Sequence, residues 1–185
     1  MPDTNLADAH LVTASTLANN NNSSPSQADI RKSISCAYSA VFHTLACVAA
    51  NMLVGPIIEG RSNKAWVEVY RGLAHGTCKE SCKRALKLNF PKGILDFANA
   101  FIQLQDARTL ADYDPLLRPT RDNAIFCVTL ARLAMEALNA APTYDKTAFV
   151  TYVLITTNGA KQSRVHHKNG STRGLEVVFN SQKNE

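Results

Sequence analysis

From Ile30 onward apolar residues recur in steps of three and four: Ile30, Ile34, Ala37, Tyr38, Val41, Leu45, Val48 and Met52. That spacing is one face of a helix. Ser26 stands ahead of it as an N-cap, and Asp29 follows at the position that closes a capping box. Gly55 and Pro56 in "GPIIEG" end it. The same pattern predicts a second helix from Asn63 to about Arg84, with Trp66, Tyr70 and Leu73 on one stripe. "NFPKG" opens a third, carrying Ile94, Phe97, Phe101 and Leu104, and "YDPLLRP" breaks it at Pro115 and Pro119. A fourth runs from about Thr120 to Ala140, with Ile125, Val128, Met135 and Leu138.

Two stretches are less periodic. Residues 4 to 18 are mildly amphipathic and predict a short helix before the polar linker "NNNNSSPS", Asn19 to Ser26. "YDKTAFVTYVLITTNG" is rich in β-branched residues, but the chain offers no second strand to pair with it. A lone strand is not viable, so this segment is read as a last helix. From Gly159 the chain turns polar and basic, with Lys161, Arg164, His166, His167, Lys168 and Arg173, and a small apolar island in "GLEVVF". The expected organisation is therefore residues 1–25 as a short helix and linker, 26–158 as an all-α bundle of about five to six helices, and 159–185 as a basic tail.

The long helix has a second face. On a wheel of about 100° per residue, Cys36, Ser39, Ala40, His43, Cys47 and Ala50 lie opposite the apolar stripe. A solvated face would be charged; this one is small. The helix is expected to be covered on both sides, with His43 mostly buried against small residues. An imidazole there is either a satisfied core group or a groove-lining acid–base group. The third helix holds a similar puzzle. Phe97, Phe101, Leu104 and Arg108 share one stripe, and Asp112 follows one turn later. A guanidinium on such a stripe needs a partner, and Asp112 is the local one.

Composition narrows the class. The 185 residues carry a net charge of +5 and are 45% hydrophobic, which fits a globular body compatible with an acidic partner such as RNA. The five cysteines are odd in number, and Asp3 and Asp8 stand where a secretory signal would be basic. Reduced thiols in a cytoplasmic protein are expected. His43 and Asn51 interrupt the most apolar run, Ile34 to Val54, so a membrane span is not expected. His75, Cys78 and Cys82 share a helix face but lack a fourth ligand, and neither a metal nor a cofactor is expected. P-loop, dinucleotide-binding and nucleophile-elbow motifs are missing from the sequence.

"SISCAYSAVFHTLACVAANMLVG" resembles the HEPN-domain helix that carries an "AYYAxFH" signature, and "LQDARTLADYDP" resembles a later HEPN helix in which arginine precedes "ADYD". "VYRGLAHG" lies between them, as in a bacterial HEPN-like subgroup. The resemblance covers roughly Gln27 to Leu138. It implies an up-and-down helical bundle and a homodimer. It further implies either a metal-independent ribonuclease or a toxin paired with a nucleotidyltransferase antitoxin. The family signature is an arginine, four to six residues, and a histidine. Arg108 matches the arginine, but the histidine positions hold Tyr113, Asp114 and Pro115. Arg71 and His75 come near the pattern with only three residues between them. The expected function is thus a non-canonical HEPN-like module binding RNA, a nucleotide or a protein partner, with Tyr38, Arg71, His75 and Tyr113 as binding residues. The alternatives are a ribonuclease using Arg108 with His43 or Asp112, and a structural dimerisation module.

Overall fold

The computed structural model describes residues 2–19, 25–58 and 63–155. It contains α1 (Leu6–Ala18), α2 (Gln27–Val54), α3 (Lys64–Arg71), α4 (His75–Ala85), α5 (Lys92–Tyr113), α6 (Arg121–Ala140) and α7 (Thr143–Leu154). No strand occurs among the described residues, and the fold is an all-α bundle. The basic tail, "GLEVVF" and the expected boundary at residue 158 lie outside the described residues.

α2 is the central element and touches α1, α3, α5, α6 and α7. Its N-terminus forms as its sequence demands. The Ser26 hydroxyl accepts from the Asp29 amide at 3.1 Å, and the Asp29 carboxylate accepts from the Ser26 amide at 3.1 Å. Gly55, at φ 93°, ends the helix in a backbone region that glycine enters without steric cost. Both faces of α2 are covered: Ile34, Val41 and Leu45 are buried on one side, and Cys36, Ala40 and Ala50 on the other. By length and composition α2 could also cross a membrane, but 56% of its most apolar stretch is buried inside the bundle.

α1 explains the small face. The buried Ser33 hydroxyl donates to the Ala14 carbonyl at 2.7 Å, and His10 stacks on His43. These two contacts make α1 antiparallel to α2, and close approach needs small residues on both. α1 is part of the same compact unit as α2–α7, so the expected boundary at residue 25 falls inside a packed body.

The helix expected from Asn63 to Arg84 is in fact two, α3 and α4. Trp66 and Leu73 fall on one side of a continuous wheel, whereas Cys78, Cys82 and Ala85 fall about 100° or more away. One straight helix cannot present both sets to one core. The chain resolves this with an extended residue, Ala74 at φ −114° and ψ 134°, which resets the phase.

Two arginines fasten the bundle at helix C-termini, where carbonyls lack intrahelical partners. Arg31 of α2 donates to the carbonyls of Ala111 (2.6 Å) and Asp114 (2.9 Å), and also to that of Leu117. Arg121 of α6 donates to the Ala18 carbonyl at the end of α1, at 3.0 Å. α5 and α6 run antiparallel and close together: a side chain at Gly93 would meet the Ala137 carbonyl at 3.2 Å.

Candidate functional site

Two tyrosine–histidine pairs stand side by side on α2. Tyr38 is 2% exposed, and its hydroxyl meets His75 Nδ1 at 2.6 Å. Five residues on, His43 Nδ1 meets the Tyr70 hydroxyl at 2.7 Å. α2 supplies the tyrosine of one pair and the histidine of the other, and the α3–α4 break brings the complementary partners into reach. Phe42 lies between them, 4.0 Å from the His75 ring and 5.6 Å from the His43 ring.

Burial settles the protons. It pushes the Tyr38 hydroxyl far above its ordinary 10 and the Tyr70 hydroxyl up to about 12. Both phenols keep their hydrogen, and each shares a hydrogen bond with the Nδ1 of a histidine that burial holds neutral. His75 is held below its ordinary value by burial and then by the charge of Arg108. His43 is lowered by burial and by its neighbours His10 and His75, and His10 by burial and Lys32.

Arg108 sits on α5 beside the first pair. Its Nε pairs with the Asp112 carboxylate at 2.6 Å, as the i, i+4 spacing requires. Its side chain is 31% exposed, and its guanidinium carbon lies 5.5 Å from the centre of the Tyr113 ring. The Nη groups have no hydrogen-bond partner among the described residues. The Ser35 hydroxyl donates to Asp112 at 3.3 Å and steadies the carboxylate.

The expected site residues therefore separate into groups. Tyr38, His75, Arg108, Asp112 and Tyr113 come together where α2, α4 and α5 meet. His43 turns the other way, toward α1 and α3. It is half-buried, and its ring faces His10 (5.1 Å, nearly parallel) and Tyr70, not the small residues expected of it. The histidine whose titration Arg108 influences is thus His75. Arg71 is exposed at the end of α3, with no hydrogen bond or ion pair among the described residues.

His10 was missed by sequence reasoning. Its signal was present: it extends by one turn the stripe of Ala14 and Ala18, both fully buried. Cys78 and Cys82 face the core, not a ligand. Burial pushes the Cys78 thiol up to about 12 and the Cys82 thiol further. Among the described residues, no three His, Cys, Asp or Glu side chains converge as a metal site.

No protein-family model, no curated protein and no solved structure matches this chain.

Proposed function

We propose that this protein is a HEPN-like module that binds RNA or a nucleotide through phosphate. The observation that carries the reading is the convergence of Arg108 and His75 around the buried Tyr38. Arg108 spends Nε on Asp112 and keeps its Nη groups for an acceptor such as a phosphate oxygen. His75 opens α4, whose N-terminal amides add positive potential, and its Nε2 points away from the Tyr38 bond. Tyr113, 69% exposed beside the guanidinium, offers a ring on which a base can stack. Residues 64–87 carry six cations; Lys79 pairs with Asp106 and Lys83 with Glu80, and Lys64, Arg71 and Lys87 remain without an ion pair among the described residues to draw a polyanion.

The test is fluorescence anisotropy with a labelled single-stranded RNA across a salt series, with ATP as competitor. Arg108→Ala is expected to weaken binding about tenfold and flatten the salt dependence. Equal binding by parent and Arg108→Ala would reject this site.

A second reading, a metal-independent ribonuclease, is favoured by one observation. The Tyr38 hydroxyl orients the His75 ring through Nδ1, which leaves Nε2 without a hydrogen bond among the described residues and within the field of the Arg108 charge. A positioned imidazole and a cation are the groups that attack by a 2′-hydroxyl requires. The rearranged pair is then Arg108 with His75 in place of His43. RNA digestion in the presence of a chelator, lost in both Arg108→Ala and His75→Gln but kept in His43→Gln, is the outcome that selects it.

A further inference from the structure

The connection between α5 and α6 closes one end of a pocket of about 360 Å³ between the last turns of α5 and the first turns of α6. Buried Ile34, Leu104 and Cys127 form its floor, and Leu110, Phe126 and Leu130 its walls. The volume stands at the lower end of the roughly 300–1,000 Å³ of small-molecule sites. α2 holds the connection from behind. The Gln27 side-chain amide donates to the Pro119 carbonyl at 3.0 Å, and Arg31 donates to the carbonyls of Asp114 and Leu117. Those bonds fix the end wall in advance, so a ligand need not order it.

Three exposed polar side chains stand at the rim, Arg118, Asn123 and Gln103, and no carboxylate lines the pocket. Arg118 spends Nη1 on the carbonyls of Pro115 (3.0 Å) and Leu117 (3.2 Å). Its Nε and Nη2 have no partner among the described residues. Those two groups form the edge of a guanidinium whose parallel N–H bonds match both oxygens of a carboxylate. Asn123 accepts through Oδ1 from the Thr120 amide (2.9 Å) and hydroxyl (3.0 Å), which leaves its side-chain NH2 as a further donor. The Cys127 thiol in the floor is pushed up to about 11 by burial, so it stays protonated and adds no negative charge.

We propose that this pocket binds a medium-chain fatty carboxylate, with its head on Arg118 and Asn123 and its chain running toward Leu130. Charge complementarity sets the head. Arg118 is the single cation of the pocket, which matches a singly charged carboxylate rather than a doubly charged phosphate monoester. Shape sets the body. From Leu110 back to Gln103 α5 spans about 10 Å, and the pocket shares Gln103 and Leu130 with a second hollow further along the same two helices. A path between two helices suits a chain rather than a fused ring. Arg108, His75 and Tyr113 do not line this pocket, so the inference is independent of the phosphate-binding reading.

The experiment is equilibrium dialysis of the full chain against octanoate, octanol and octylammonium, each below its micellar concentration, with far-ultraviolet circular dichroism as the folding control. Octanoate is expected to saturate a single site, with octanol and octylammonium weaker by about tenfold or more. Arg118→Ala should weaken octanoate about tenfold and leave octanol unchanged. Phe126→Ser, at a side chain exposed enough to be dispensable for folding, should weaken both. A parent that shows no saturable octanoate binding would overturn the proposal. So would octanol bound as tightly as octanoate, because the hollow would then select only for grease. Octanoate binding that survives Arg118→Ala and Phe126→Ser but is lost in Arg108→Ala would put the anion at the phosphate site and equally overturn it.

Discussion

Arg108 carries two consequences that separate at the level of single residues. Its charge lowers the affinity of His75 for a proton, so Arg108→Ala should raise the His75 pKa. An NMR titration of the His75 ring reads this directly, and an unmoved midpoint would mean the two groups do not sense each other. The substitution also removes an ion pair of limited exposure and a contact with Tyr113. The expected cost is about 1 kcal/mol in chemical denaturation, against nearly nothing for Arg71→Ala on the exposed end of α3. Tyr38→Phe should cost about 1 kcal/mol, since it leaves His75 Nδ1 without its hydrogen-bond partner while keeping the ring in the core. Arg108 and Asp112 were legible as a pair because an i, i+4 spacing is local. The neighbourhood of His75 was not, since Tyr38 and His75 are 37 residues apart and only packing brings them together.

At the scale of elements, two devices can be compared. The Ser26 cap satisfies an amide at the start of α2, and Ser26→Ala should cost about 1 kcal/mol. Arg31 satisfies three carbonyls after and within the last turn of α5 from a neighbouring helix. A charged group on several acceptors contributes more, and Arg31→Ala should cost about 2 kcal/mol or more. Arg31→Lys should recover only part of it, because an ammonium cannot fork between separated carbonyls. Denaturant midpoints at unchanged slope provide the comparison; a larger loss for Ser26→Ala would reverse the ranking. The cap could be read from four consecutive residues. The role of Arg31 could not, and neither could the break between α3 and α4. Both follow from where neighbouring helices lie.

For the whole molecule, the histidines set a pH dependence. His10, His43 and His75 are all held below the ordinary value of 6.5. The unfolded chain therefore binds more protons than the folded one once pH falls below about 6.5. Their contribution to stability is fully present above that value and is lost as pH falls through it toward the lowered folded values. Thermal unfolding should therefore occur at lower temperature at pH 5 than at pH 7. Replacing His10 and His43 together by glutamine should shrink that difference. A melting temperature independent of pH across this window would show that the folded chain binds protons as readily as the unfolded one, and that the histidines are not held low.

The sequence alone determined the helical class, the cap and ends of α2, the span of α6, the apolar stripes of α2 and α5, and the Arg108–Asp112 pair. Each depends on residues within a turn or two of one another, where helix geometry leaves few alternatives. Tertiary structure decided the rest. It split the helix after Arg71, because the buried residues of α3 and α4 had to meet one core from different directions. It laid α1 over His43, so that an imidazole expected among small side chains stacks on His10. It brought His75 within the field of Arg108 and left Phe126 and Leu133 of α6 exposed. Those outcomes depend on which helix lies beside which, and no local spacing encodes that.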